Sequence, residues 1–331
     1  MKRFTTILTV RFNTIFNGIL FMGIPLLSET IIILVATAIS SLTYFLTPIF
    51  GKMLKKHGIV GIDLHKVKKT LIPECGGIVL GVGFVLFLSF LFVLTGRFQI
   101  LYILTISLLF GLLGFIDDMV RLGKYEKLFC SILISTFTVS FLGLSGVALI
   151  LGILFVIATA NIFNLFAGLN GLEVGSSTII SFFFMTSLFI LGDLIPGFIT
   201  LGVFLILFSF LLHNKYPAKI FPGNVGTLLI GGFFASFTLY YNMYLILIPL
   251  LTLHIINSLL KGYSAGYFSF SEKKPTKVLK NGILKPRDDF LSFVRLLLKF
   301  RPMKELEIVR IIWAIQTAVG VLTTITISGI L

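Results

Sequence analysis

An all-α polytopic membrane protein with about ten transmembrane helices is what the sequence predicts, and three observations carry that expectation. The chain of 331 residues is 57% hydrophobic and only 12% charged, where an ordinary soluble domain runs near 45–50% and about 25%. Its apolar residues gather in windows long enough to cross a hydrocarbon core about 30 Å thick, which takes about 20 helical residues. Its basic residues fall between those windows. A soluble globule is excluded by the first two. The third disposes of another class: Lys and Arg outnumber Asp and Glu by 27 to 13, but a positive balance divided by long apolar runs is not the footprint of a nucleic-acid binder.

The windows lie at 30–50, 76–95, 99–116, 128–143, 145–162, 174–192, 194–212, 224–241, 243–260 and 308–330. Residues 1–29 stand apart. Met1-Lys2-Arg3 followed by apolar residues has the look of a signal peptide, yet Arg11 and Asn13 interrupt the stretch and no clear small-x-small cleavage site precedes Glu29. An interfacial or partly inserted segment is expected there, ahead of a ten-helix domain at 30–331. Cys75 and Cys130 show neither a CxxC spacing nor a nearby His cluster and are expected to be packing residues.

Lys and Arg are retained on the cytoplasmic side of short loops. With the segment after the first window placed inside, the inner segments are 51–75, 117–127, 163–173, 213–223 and 261–307, and they hold 22 of the 27 basic residues. Outer connections are short, so any chemistry is expected on the cytoplasmic face.

Four inner segments carry polar groups in patterns that bear on chemistry. Asp117 and Asp118 end the third window; adjacent carboxylates at a membrane boundary repel one another unless a cation offsets them, although a solvated helix end paired with Arg121 and Lys124 explains them equally. In Asn161-Ile162-Phe163-Asn164 the two asparagines share a helical face, followed by Gly168, Asn170, Gly171 and Glu173. Carboxamide oxygens there suit a hard cation, a sugar or a base, against the simpler reading of interhelical hydrogen bonds and a glycine turn. Gly223-Asn224-Val225-Gly226 opens a helix, where free N–H groups favour an anion, or where Asn224 merely caps. The stretches 63–77 and 273–280 are rich in lysine. Most of these lysines are expected to meet anionic lipid headgroups, with Lys68, Glu74 and Lys273 retained as candidate substrate contacts. His57, His65, His213 and His254 lack ligand spacing and are assigned no chemistry.

Taken in order, the paired acids, NxxNLxAGxNGLE, FPGNxG and a late basic loop resemble the polyprenyl-phosphate N-acetylhexosamine-1-phosphate transferases, most closely the archaeal and eukaryotic branch that uses UDP-GlcNAc and dolichyl phosphate. The resemblance covers about residues 30–310. It implies a ten-helix enzyme that moves sugar 1-phosphate from a UDP-sugar to a polyprenyl phosphate and releases UMP, with Mg²⁺ or alternatively Mn²⁺. By position, it implies Asn164 and Asn224 as metal ligands, Asn170 at the uridine end, Phe221 against uracil, and Asp117, Asp118 and Lys127 as the catalytic group. Asn161 and Glu173 fall among the substrate contacts, and Lys273 falls where the family has an arginine for the pyrophosphate. The expected partners are the UDP-sugar, the polyprenyl or dolichyl phosphate and membrane lipid, with a homodimer allowed and nucleic acid not expected.

Two positions depart from the family pattern. Asn224 stands where a metal carboxylate is usual, and Arg121 stands where Asn or Asp usually follows the acid pair. A carboxamide attracts Mg²⁺ less than a carboxylate does. A catalytically impaired nucleotide-binding relative is therefore one alternative, and a non-enzymatic transporter or lipid-handling protein is another. For a transferase, the acceptor phosphate is already mostly dianionic at pH 7, so Asp117 and Asp118 are expected to organise metal and lysines more than to remove a proton.

Overall fold

The computed structural model describes residues 25–265, 276–286 and 291–329. These form an all-α polytopic membrane protein. The first helix, α1 (Pro25–Lys56), is followed by a small antiparallel hairpin of β1 (Val60–Ile62) and β2 (Leu71–Pro73). Then come α2 (Gly77–Thr95), α3 (Phe98–Val120), α4 (Lys124–Phe141), α5 (Gly146–Phe166), α6 (Leu172–Ile190), α7 (Leu194–Asn214) and α8 (Gly223–Tyr241). The chain continues through α9 (Tyr244–Leu250), α10 (Thr252–Ala265), β3 (Lys277–Val278), β4 (Ile283–Lys285), α11 (Phe293–Phe300), β5 (Met303–Lys304) and α12 (Glu305–Ser328).

Among the described residues, eight helices are long and apolar enough to cross a membrane, or nine if the bent α9–α10 pair is one span. Two of the ten expected windows fall outside that count. Window 128–143 is part of α4, which runs between the same two ends as α3 and α5, but the helix has 18 residues and begins Lys-Tyr-Glu-Lys, and this charged first turn keeps it out of the count. Window 243–260 is broken by a 58° bend between α9 and α10. Pro249 supplies no N–H to the helix, and the Thr252 hydroxyl donates to the Pro249 carbonyl at 2.6 Å, a bond that competes with helix continuation. The expected boundary at residue 30 also moves, because α1 already begins at Pro25; residues 1–24 lie outside the described residues.

α8 is the buried axis of the bundle. Its residues from Val225 to Leu239 are all buried; Phe163 of α5 stacks on its Phe234, and Phe184 of α6 meets its Phe237 edge to face. Its first turn is gripped more closely than side chains would permit. A Cβ on Gly77 would sit 2.2 Å from the Gly226 Cα, and one on Gly114 would sit 2.2 Å from the Asn224 carbonyl oxygen. Glycine at 77 and 114 thus lets the start of α2 and the end of α3 touch the α8 backbone directly.

A second, smaller core lies at the same end of the bundle. Leu284, Phe293, Leu298 and Met303 from the segment between α10 and α12 pack on Phe166, Leu169 and Leu172 of the α5–α6 connection and on Ile308 and Ile312 of α12. The antiparallel run of helices returns α1, α3, α5 and α7 to this one end, where the hairpin, the α5–α6 turn and the α7–α8 loop meet.

Candidate active site

These three connections enclose a half-open cavity of about 230 Å³, lined by Asp63 and His65 from the hairpin turn, Glu74 after β2, Asn164, Asn170 and Glu173 around the α5–α6 turn, and Phe221, Asn224 and Thr227 at the start of α8. Six residues singled out in the sequence are therefore walls of one chamber: Glu74, Asn164, Asn170, Glu173, Phe221 and Asn224. Each is placed by a local reason. Gly76 and Gly77 donate their N–H groups to the Phe221 and Pro222 carbonyls at 2.8 Å each, and Phe221 N–H donates to the Pro73 carbonyl at 2.8 Å. The hairpin base and the α7–α8 loop are thereby stitched edge to edge. Thr227 Oγ1 donates to Asn164 Oδ1 at 2.9 Å and joins α8 to α5.

Asp118 lies behind this wall. The N-terminus of α8 has no side-chain cap of its own, since Pro222 precedes it. Asp118 reaches across from α3 instead, accepting from Asn224 N–H at 2.9 Å and Val225 N–H at 3.1 Å. The anion that the free N–H groups favour is thus a carboxylate of the same chain, and Asn224 is a residue of the helix rather than its cap. Cys75 adds a thiol donor to Asp118 Oδ2 at 3.6 Å, so it does more than pack. Burial, reinforced by the charge of Asp118, pushes its thiol up to about 12 and keeps it protonated. Burial and the charge of Asp118 also raise the carboxyl of Glu74 above the ordinary carboxylate range, with Arg121 opposing.

Asp117 points elsewhere. Its Oδ2 pairs with Lys127 Nζ at 2.6 Å, and its Oδ1 accepts the Leu122 N–H at 3.1 Å, closing the turn between α3 and α4. Asp117 and Lys127 do not line the chamber, nor does Asp118. Asn161 donates to the Ile157 carbonyl of its own helix at 2.8 Å, one turn before Asn164, and Lys68 is exposed on the hairpin turn. Lys273 lies outside the described residues.

The chamber also holds residues that the motif search passed over. Asp63 is buried and accepts from Asn170 Nδ2 at 3.0 Å. Glu305, the first residue of α12, accepts the Asn170 N–H at 2.7 Å and pairs with Lys66 at 2.5 Å. Lys66 lies 3.5 Å from Asp63 and 3.7 Å from the centre of the Tyr216 ring. Glu173 accepts from Ser177 at 2.9 Å and faces His254 at 3.5 Å. Apart from the local pairs Asp63–Lys66 and Glu173–Ser177, these partners are far apart in the chain, and the sequence hinted at them only by leaving an acid in an otherwise basic turn and another at the head of the last span.

His65, assigned no chemistry from its spacing, lines the chamber with its imidazole held down to about 4, chiefly by burial and further by Lys66 and Arg295, with Asp63 opposing. It is neutral in the folded turn. Between about pH 4 and 6.5 the unfolded chain takes up a proton that the folded turn refuses, so stability is lost as pH falls through this window. Thermal unfolding is therefore expected at lower temperature at pH 5 than at pH 7.5, and His65→Gln should lose part of that pH dependence; an unchanged pH profile in the variant would show that His65 does not contribute to it.

Membrane-spanning helices with a polar chamber at one end define an integral membrane protein with a polar pocket at the membrane boundary. Within that class, the chain belongs to glycosyl transferase family 4, whose family description matches residues 100–242. A Methanocaldococcus jannaschii protein named provisionally as a glycosyltransferase is 34% identical over 85% of this chain and 93% of its own length. A Sulfolobus acidocaldarius protein named provisionally as a UDP-N-acetylglucosamine–dolichyl-phosphate N-acetylglucosaminephosphotransferase is 30% identical over 82% of this chain and 89% of its own length. The phospho-N-acetylmuramoyl-pentapeptide-transferase of Petrotoga mobilis is 33% identical over 60% of this chain and 72% of its own.

Proposed function

We propose that the protein transfers N-acetylhexosamine 1-phosphate, GlcNAc 1-phosphate foremost, from a UDP-sugar to a polyprenyl or dolichyl phosphate, releasing UMP, as the first membrane step of glycan assembly. The observation that carries the proposal is the convergence of Glu74, Asn164, Asn170, Glu173, Phe221 and Asn224 on one chamber at the end of an apolar bundle. A chamber of this kind offers an aromatic face for a base, carboxamides for a base or sugar, and a mouth at the boundary where a lipid phosphate resides. The relatives' names support the same chemistry. The basic residues gathered in the segments at this end support a chamber that faces the cytoplasm, most simply across the cell membrane.

In this reading an oxygen of the acceptor phosphate attacks the β-phosphorus of the UDP-sugar. A new P–O–P linkage forms, the bond between the α- and β-phosphates breaks, and its electron pair leaves with UMP. The acceptor needs no strong base, because its second ionisation lies near pH 6. The harder task is to hold two anions together. In this reading Lys127, held by Asp117, meets the acceptor phosphate, while Asp118 keeps the α8 backbone and hence Asn224 at the chamber wall. Asn170 would contact the uridine end and Phe221 would cover the base.

The donor set bears on the metal. Among the described residues no group of three His, Cys, Asp or Glu side chains is arranged to hold an ion. The carboxamide oxygens of Asn164 and Asn224, with Glu74 on the same chamber, fit Mg²⁺ that arrives with the donor diphosphate, since this cation is commonly held by few protein oxygens plus substrate phosphates. Bound there it would neutralise charge on the diphosphate.

The test is UMP release from UDP-GlcNAc by purified protein with dolichyl phosphate, with and without Mg²⁺. Asn224→Asp is expected to lower the Mg²⁺ concentration needed for half-maximal rate by about tenfold, the consequence of one added carboxylate. UMP binding without any UMP release would favour the second reading, an inactive nucleotide-binding relative, to which Asn224 and Arg121 lend support. Neither binding nor release would end the transferase reading.

A further inference from the structure

Leu64 is a wall of the chamber and also of a second cavity, an open groove of about 640 Å³ between the β1–β2 turn and the β3–β4 hairpin. Lys66 and Lys69 stand with Leu64 on one bank, and Thr276, Lys277 and Lys280 stand on the other. Both banks are tied at their bases. The Asp63 N–H donates to the Thr70 carbonyl at 2.9 Å and closes the first turn; the Gly282 N–H donates to the Leu279 carbonyl at 2.9 Å and closes the second.

Four lysines line this groove, and no acid does so among the described residues. Lys66 is accounted for, since Asp63 and Glu305 pair with it. Lys69, Lys277 and Lys280 are exposed and have no ion-pair partner among the described residues. Solvation alone explains exposed lysines, but two further features call for an anion. Lys277 and Lys285 are direct partners in the β3–β4 register, and like charges facing one another across a ladder destabilise it. Thr276, on the groove wall, is 7% exposed, and its hydroxyl is buried without a hydrogen-bond partner. Buried polar atoms seldom stay unmet. An oxyanion answers both features, accepting from hydroxyl and ammonium groups while offsetting their charge.

Lys66 connects the groove to the chamber. Its ammonium is shared by Asp63 and Glu305, which accept from the Asn170 side chain and the Asn170 N–H respectively. An anion in the groove competes with these two acids for Lys66. We propose that the groove binds a phosphate-bearing anion, a free phosphate species or a lipid headgroup, and that its occupancy loosens Asn170 and weakens nucleotide binding in the chamber. The groove stands on its own geometry; its effect on the nucleotide rests on the transferase reading above.

The probe is inorganic diphosphate, titrated by calorimetry without Mg²⁺ into the full chain in phosphatidylcholine nanodiscs. Diphosphate is expected to bind and to weaken UMP binding by about fivefold or more. Lys277→Gln with Lys280→Gln, both at exposed positions, should fold normally, weaken diphosphate binding by about tenfold or more, and leave UMP affinity in its absence within about twofold. Thr276→Val keeps the shape, drops the hydroxyl and should weaken diphosphate by about threefold or more. Lys55→Gln with Lys56→Gln removes the same charge from the exposed end of α1 and should match wild type. Phosphatidylglycerol in the nanodisc identifies the source: diphosphate binding lost in wild type makes the occupant a headgroup, and binding retained makes it a soluble phosphate. Three results would overturn the proposal: no diphosphate binding, equal losses in the two lysine pairs, or displacement of UMP that survives Lys277→Gln with Lys280→Gln and so places the anion in the chamber. Diphosphate binding that leaves UMP affinity unchanged would overturn the link through Lys66. A wild type that binds diphosphate through these lysines but binds no UMP would count against the transferase reading and leave the groove standing.

Discussion

Asp118→Ala is expected to cost at least about 100-fold in turnover, the equivalent of roughly 2.7 kcal/mol of barrier, without moving the pH optimum. The carboxylate accepts two N–H groups at the start of α8 and the Cys75 thiol. Leaving a buried donor unpaired costs about 1–3 kcal/mol, and the helix turn that would shift to relieve it carries Asn224 into or out of the chamber. Asp118→Asn retains one good acceptor and should fall between alanine and wild type. A general base in this position would behave otherwise: the asparagine variant would be as dead as the alanine one, and residual activity would gain toward high pH. Pre-steady-state UMP release across pH 6 to 9 distinguishes the two.

Glu305→Ala should weaken UMP binding by about tenfold or more while leaving Lys127 and its partner undisturbed. Glu305, Asp63 and Asn170 are 3%, 4% and 3% exposed, and Lys66 is shared by the two acids. Removing Glu305 leaves Lys66 to Asp63 but strips the acceptor from the buried Asn170 N–H, and an unpaired buried donor costs about 1–3 kcal/mol. The measurements are UMP titration and thermal unfolding. Since Lys66 also serves the buried Asp63, Lys66→Met with Glu305→Leu leaves that carboxylate without a cation and should melt lower than Glu305→Leu alone, with UMP bound poorly by both. Recovery of binding in the double variant would mean that the network serves stability only.

Much of the bundle was legible because apolar length is a local property. The windows and the helices coincide within a few residues at 76–95, 194–212 and 224–241, where nothing but hydrophobicity decides the element. The two windows outside the count of eight have local features that length alone does not register: charge in the first turn of α4, and Pro249 with the Thr252 hydroxyl at the α9–α10 bend. Of the chamber, the asparagines and Phe221 were readable because they sit in short polar insertions between apolar runs. Asp63, Lys66 and Glu305 were not, because their meaning depends on a hydrogen bond between positions 135 residues apart, Asn170 to Glu305, and no spacing rule spans such a distance. Asp118 was found for its charge, but its partners are backbone groups that carry no letter in the sequence.

The glycine contacts that pin the first turn of α8 leave three stretches of main chain touching with no side chain between them. Any larger residue at 77 or 114 has to wedge that seam open and carry Asn224 with it, so the shape of the chamber is dictated from inside the bundle, by positions that never meet whatever the chamber holds.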